Sequence, residues 1–452
     1  MNESLFNTKI GLPLVSFIVI GMMLGGGVFV YTGLVYDMTG PLLPLAFLIA
    51  AVPVFLSMMP LAMLGSALPL SGANYMYPSR MVSPVLAFSA VWVYALASFF
   101  GQIPLYVLAT GNYLQSIWPE IPVTGAAAII LTLFYLVNLF GIKIAAQIQG
   151  ALLLVLIAGL VTFSVGSIPD IKPEYLSFKP DIGIGSILLG TALLSFTYFG
   201  ANGIIELGSE IKDPGKTIPR AFYIAFPIVI LLLLYVTVSS GLVGTLSPEL
   251  IVGEQDPLIA AAKHNLSHGL FVFFILGGAV LALLTTLNAL FLIGTRSLLM
   301  IVHDRLLPSW LGKLTPKRKV PWVLLTMIWL LSLIGLFSGL SLQEFASYAS
   351  LGGLVIFLPI LLAARVFPSK FPQQYSNSNF KLSPLVLKVC VITGVIMVLF
   401  FSLVILVDLD SFMKTGIFVL FVSSGVLFFF LRKMYLKKRG INLTFKPLDD
   451  ED

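Results

Sequence analysis

Apolar runs of about 20 residues recur along this chain from near residue 9 to near residue 433, and no other feature restricts its fold so severely. Inside hydrocarbon every peptide N–H and C=O needs an internal partner, so only helices and closed barrels can cross. Long continuous runs, as opposed to alternating segments of about ten residues, select helices. Twelve are found, at roughly 9–35, 41–65, 84–110, 124–140, 144–168, 185–208, 221–246, 269–300, 321–339, 343–366, 385–407 and 412–433. "FGIKIAAQ" (140–147) places a turn between the fourth and fifth, with Lys143 and Gln147 as its polar residues. The sequence therefore predicts an all-α integral membrane protein of twelve transmembrane helices, with 10% charged residues where a soluble domain carries about 25%.

The basic residues orient these spans. With the amino terminus in the cytoplasm, only Lys172, Lys179, Lys263 and Lys414 of the 26 Lys and Arg fall on the far side. "KLTPKRK" (313–319) and "RKMYLKKR" (432–439) fall on the near side, the asymmetry of a cell-membrane protein with both termini cytoplasmic. The net charge of +6 thus serves topology and contact with anionic lipid, and no nucleic-acid partner is expected. The start, "MNESLFNTKI", lacks the pattern of a removable signal peptide, and the final "DDED" reads as a solvated end. The single cysteine, Cys390, lies in an apolar run and reads as packing. His264 and His268 are four apart, but no glutamate completes a hydrolase motif, so they read as a solvated pair and no metal or other cofactor is expected. Neither a catalytic cluster inside the spans nor a phosphate-cradling motif is found, which argues against an enzyme and against a nucleotide-driven pump.

"LGGGVFV" (24–30) puts Gly25, Gly26 and Gly27 in the middle of the first run. Each glycine costs a helix roughly 1 kcal/mol relative to alanine, so three together mark a place where the helix comes apart. The sixth run repeats the device, with Gly200 and Gly203 bracketing Ala201 and Asn202. Paired interruptions in matching spans of two halves point to a transport site at the bilayer midplane. Helix ends freed there present N–H groups suited to a carboxylate and carbonyls suited to an ammonium group, so a small zwitterion fits the pair. The alternative is close helix packing through small residues. The expected organisation is a cytoplasmic segment (1–8), a first inverted repeat of spans 1–5 (9–184), a second of spans 6–10 (185–384), spans 11 and 12 (385–433) and a cytoplasmic tail (434–452).

Five stretches in order then resemble one family. "GMMLGGGVF" (21–29), "LAMLGSALPLSGANYMYPSR" (61–80), "NLFGIKIAAQIQ" (138–149), "GSEIKDPGKTIPRA" (208–221) and "TLNALFLIGTRSLLMIVHDRLLPSWLGKLTPKRKVPW" (286–322) are similar to the amino acid, polyamine and organocation transporter superfamily. The resemblance implies a LeuT-like five-plus-five inverted repeat with discontinuous helices 1 and 6, working as a permease by alternating access. It also implies that Met22, Met23 and Gly25 to Gly27 line the first break, with the Gly26 and Gly27 N–H groups on a substrate carboxylate and the Met23 carbonyl on its amino group. On the sixth helix it implies Phe196 as the aromatic that closes over substrate, the Phe199 carbonyl facing the amino group, and Tyr198, Gly200 and Asn202 beside them.

This chain departs from the family where coupling is concerned. Asn202 stands where an acidic residue is common, and Leu156 falls near the place where proton-driven members carry a lysine. Glu206 is the one acidic residue within the hydrocarbon thickness, an insertion that costs roughly 2.5–3.5 kcal/mol. It reads either as a group that carries a coupling proton or meets a substrate amine, or as a cap on free N–H groups. On an α-helix Asn202, Glu206 and Glu210 share a face, with Glu210 expected to pair with Lys212 or Arg220 at the surface. Gln102, Thr285, Thr286 and Asn288 are lesser candidates for the pathway. The apolar neighbourhood favours a neutral amino acid as substrate, while Glu206 favours a cationic amino acid or polyamine, as in an exchanger. A solute sensor on the same fold is the alternative from another class.

Overall fold

The computed structural model describes residues 9–140, 142–176, 182–234, 242–245, 256–316, 319–409, 412–441, 443 and 445. The acidic end "DDED" and Lys179 lie outside the described residues. Among them the chain is helical with no strand, apart from isolated bridges. In order the helices are α1 (Leu12–Leu24), α2 (Thr32–Thr39), α3 (Leu43–Ala67), α4 (Ala73–Met81), α5 (Pro84–Leu96), α6 (Ile103–Ile117), α7 (Val123–Leu139), α8 (Ile142–Ser167) and α9 (Ile184–Phe199). There follow α10 (Pro214–Leu234), α11 (Pro257–Asn265), α12 (His268–Phe273), α13 (Leu281–His303), α14 (Trp322–Leu336), α15 (Leu342–Lys370), α16 (Pro372–Asn377), α17 (Pro384–Asp408) and α18 (Phe412–Lys438). Nine stretches of the described residues are long and apolar enough to cross a bilayer, the first being Leu12–Ala67, which turns at Gly40; α7 and α14 are shorter apolar helices. This is a multi-pass helical membrane architecture.

Local chemistry sets the helix boundaries. Proline opens α5, α10, α11, α16 and α17, where the N–H it lacks would have no helical partner. Ser83, Asp256, Ser341 and Ser383 cap their helices through side-chain oxygens, and Ser341 with Glu344 forms a capping box. α7 ends at Leu139 and α8 opens at Ile142, where the sequence places a turn.

α1 packs against α10, and α3 packs against both α9 and α10, so the two interrupted segments lie inside a shell of whole helices. α17 leans on α15 and α3, while α18 leans on α5. The outer face of α17 leaves Leu385, Ile396, Leu399, Leu403 and Val407 bare, as a lipid-facing helix does. Three π-helical stretches, Gly27–Tyr31, Ala97–Gln102 and Phe274–Val280, interrupt otherwise long helices, and π turns of this kind gather at functional sites.

Candidate functional site

α1 stops at Leu24 because Gly25 turns to φ −57°, ψ −125°, and the chain resumes as the π-helical Gly27–Tyr31. α9 stops at Phe199 and continues as a 3-10 helix, Gly200–Glu206. Both interruptions that the glycines predict are therefore present, at Gly25 and Gly200. They also touch: a Cβ added at Gly200 would lie 2.3 Å from the Met22 carbonyl oxygen. A Cβ on Gly25 would lie 1.7 Å from Thr286 Oγ1. That hydroxyl accepts the Gly26 N–H at 2.8 Å and itself donates to the Ala282 carbonyl at 3.1 Å. One of the two donors expected to meet a carboxylate is thus held by α13 in this structure.

Between the interruptions lies a cavity of about 50 Å³, which is three to four times the space one water needs. Of the residues expected in the site, Met22, Gly27, Phe196, Phe199, Gly200 and Asn202 line it. Met23, Gly25, Gly26, Tyr198 and Glu206 do not. Tyr198 is buried in packing, its hydroxyl on the Phe47 carbonyl at 3.2 Å and its ring stacked on Phe226. Phe196 lies 5.4 Å from the Tyr31 ring and 6.2 Å from Phe199, which in turn meets Phe357 at 4.6 Å. This aromatic layer forms the apolar wall.

The polar wall comes largely from elsewhere. Asn74 lies in the first turn of α4, Gln102 closes the second π-helical stretch, Tyr106 follows it by one turn, and Tyr94, Thr197 and Thr286 line the cavity too. Gln102 and Thr286 carry a sequence signal, as polar residues inside apolar runs. Asn74 and Tyr106 carry none, because only the folded chain brings their helices to the interruptions.

Glu206 does not line the cavity and is 1% exposed. Its carboxylate accepts the Asn74 N–H at 2.7 Å and the Ser297 hydroxyl at 2.9 and 3.1 Å, and its carbonyl accepts the Gly72 N–H at 3.2 Å. Glu206 is thus an N-terminal cap supplied from a distant segment to α4, whose own preceding residue, Gly72, is left-handed at φ +68° and has no side chain to cap with. Although Asn202 and Glu206 both meet Asn74, and Glu210 meets the helix that carries Ser297, the α-helix assumed for their shared face does not form, the segment being 3-10. Nor does Glu210 reach the surface. It is buried, with Oε1 3.3 Å from Arg296 Nε of α13, because the segment lies beneath that helix. Burial pushes its carboxyl above the ordinary value, and the Arg296 charge opposes the shift.

The same end of the bundle, which also carries the basic clusters, is closed by further contacts. Arg80 of α4 makes a two-pronged ion pair with Asp304 at 2.5 and 2.9 Å, and the Tyr75 hydroxyl donates to that carboxylate at 2.5 Å. Ile10 pairs with the Glu210–Lys212 backbone at 2.9 and 2.8 Å. A smaller cavity of about 40 Å³ is lined by Val30, Asn112, Tyr113 and Asp256 among others. There Asp256 caps α11 through the Leu258 N–H at 2.7 Å, and burial pushes its carboxyl up to about 7. His264 lies in the last turn of α11 and His268 opens α12, so the pair spans a break between helices; among the described residues no cluster fit for a metal is found.

A bundle of long apolar helices with two interrupted ones meeting at an internal cavity defines a multi-pass membrane transporter. Residues 15–439 match the amino acid permease family, and the chain belongs to it, so its cargo is amino acids. It is 26% identical over 377 residues to the branched-chain amino acid permease BcaP of Bacillus subtilis, spanning 78% of this chain and 79% of that one. It is 27% identical over 390 residues to the methylthioribose transporter of the same organism, spanning 81% and 82%. Over 331 residues it is 26% identical to the vacuolar cationic amino acid transporter 4 of Arabidopsis thaliana, spanning 67% and 54%.

Proposed function

We propose that the chain is a secondary permease for neutral amino acids, exposing the cavity at Gly25 and Gly200 to each side of the cell membrane in turn. The observation that carries the substrate class is the wall itself: among the described residues, no Asp, Glu, Lys, Arg or His lines it. A substrate with a net charge would be stripped of water with no counter-charge beside it, at a cost of several kcal/mol. A zwitterion instead meets the partial charges of the two helix interruptions, the Gly27 N–H and, once freed, the Gly26 N–H taking the carboxylate and the Phe199 carbonyl the ammonium group. In this reading Thr286, which holds the Gly26 N–H, yields it to the carboxylate.

The organisation proposed with it is twelve spans, with 9–184 and 185–384 as inverted repeats, 385–433 appended, and the segments 1–8 and 434–452 in the cytoplasm. The distribution of Lys and Arg supports that orientation. The ties of Glu206, Arg80 and Ile10 then sit at the cytoplasmic end and hold it shut. Leu156, near the place where the resemblance puts a lysine in proton-driven members, is fully buried and brings no fixed cation to stand in for a sodium ion.

Thermal-shift measurements against single amino acids and amines, followed by uptake into liposomes, test the proposal. Stabilisation and uptake of neutral amino acids are expected, since a ligand raises stability by mass action. Preference for lysine or a polyamine overturns the substrate class. Binding without flux identifies a sensor.

A further inference from the structure

Two side chains in the cavity wall have an oxygen that the protein leaves unused. Gln102 is 6% exposed and spends its amide N–H on the Tyr106 hydroxyl at 3.1 Å, leaving Oε1 buried with no partner among the described residues. Asn202 is 7% exposed and spends its amide N–H on Asn74 Oδ1 at 3.0 Å, leaving its own Oδ1 in the same condition. They belong to different elements, one ending the π-helical stretch before α6 and the other inside the 3-10 segment after α9. Both line the cavity. Thr197 Oγ1 is also without a partner, but it lies 2.9 Å from where a Gly27 Cβ would be. That places it at the pole assigned to the carboxylate, where its O–H can donate.

We infer that the cavity selects neutral amino acids whose side chains carry an N–H or O–H donor, an amide or a hydroxyl, with Gln102 and Asn202 as the specificity-determining residues. This rests on the cavity being the substrate site. An amide oxygen can only accept, and a buried acceptor without a donor is unfavourable. Before substrate enters, water can serve both oxygens, since the cavity exceeds the space one molecule needs. An apolar side chain that displaces this water strands the oxygens, whereas a hydroxyl or amide of the same shape replaces it. Discrimination by a site built for hydrogen bonding exceeds what one methylene can supply in an apolar pocket.

Binding to the purified full-length protein of L-threonine against L-valine, and of L-glutamine against L-methionine, compares donors with near-isosteric apolar partners. We expect threonine and glutamine to bind at least tenfold more tightly. Gln102→Met or Asn202→Leu should bring at least one pair to within about twofold while valine and methionine still bind. Equal affinities within both pairs for the wild type overturn the inference and leave the substrate site standing, as does a preference that survives both substitutions. If no amino acid binds the wild type at all, the substrate-site reading itself fails. Should a variant not fold, the wild-type ratios alone decide.

Discussion

The Glu206 carboxylate accepts the Asn74 N–H at 2.7 Å, so the acid at the end of one interrupted helix caps a helix more than a hundred residues earlier in the chain. Removing that acceptor leaves a buried N–H and the Ser297 hydroxyl short of a partner, which costs about 1–3 kcal/mol for each unmet group. Glu206→Ala should therefore lower the melting temperature and reduce uptake. Glu206→Gln, which keeps one oxygen, should fold and transport at a reduced rate. Because Glu206 is absent from the cavity wall, substrate preference should not change in either variant; a shift in preference measured by competition would place Glu206 in contact with substrate.

The contact between Gly200 and Met22 sets a ranking among glycine substitutions. Gly200→Ala forces a methyl group to within 2.3 Å of a backbone oxygen, which cannot move without shifting α1. At Gly203 the obstruction is the tip of the Met22 side chain at 2.4 Å, which can rotate away. Uptake should fall at least 100-fold for Gly200→Ala and less than tenfold for Gly203→Ala. The reverse order in a liposome assay would refute the contact.

Arg80 and Asp304 form a nearly buried pair, with side chains 3% and 8% exposed. Taking away one partner of such a pair typically costs about 3–5 kcal/mol. Asp304→Asn should reduce thermal stability and open the end that carries the basic clusters. In a Cys390→Ser background, a cysteine placed at Asn74 should then react faster with a polar thiol reagent than in the protein that keeps Asp304. Equal labelling rates would show that the pair does not hold that end closed.

Asp256 has a consequence for pH. Its carboxyl rises from 3.8 to about 7 on burial, so between roughly pH 4 and 7 the folded chain holds a proton that the unfolded chain has released. Stability from this group is complete below about pH 4 and is lost as pH rises towards 7. Asp256→Asn keeps an acceptor for the Leu258 N–H and removes the titration, so its melting temperature should vary less over pH 4.5–8 than that of the wild type. Melting curves in detergent at three pH values check this, and parallel curves would count against it.

Hydropathy alone marks the long apolar helices, because a segment that must satisfy its own backbone in lipid announces itself by length, whereas short helices such as α4 and α11 leave no such mark. The interruptions are legible for a related reason, since three consecutive glycines at 25–27 have no place in an unbroken helix. Glu206 is legible as a residue with a role, yet the partner is not: nothing local links it to Asn74 or Ser297. The same holds for Thr286, which meets Gly26 across 260 positions of sequence. Glu210 reads wrongly because Lys212 and Arg220 stand near it in sequence, while Arg296, which it meets, is brought to it only by the fold. A period of four assumes an α-helix, and the chain adopts the tighter 3-10 form, which no propensity in "GANGIIELGSE" announces.

That tighter form also stores length. At about 2.0 Å per residue the seven residues Gly200–Glu206 extend roughly 14 Å, whereas an α-helical version at about 1.5 Å per residue would reach only some 10.5 Å. Rewinding would retract Glu206 by about 3.5 Å, farther than any hydrogen bond stretches, so α4 must either follow or let go. Any rewinding of the segment would thus be transmitted to α4 through Glu206. A pair of spin labels flanking the segment would register its contraction as a shorter separation, and an unaltered separation throughout the transport cycle would mark it as a rigid strut.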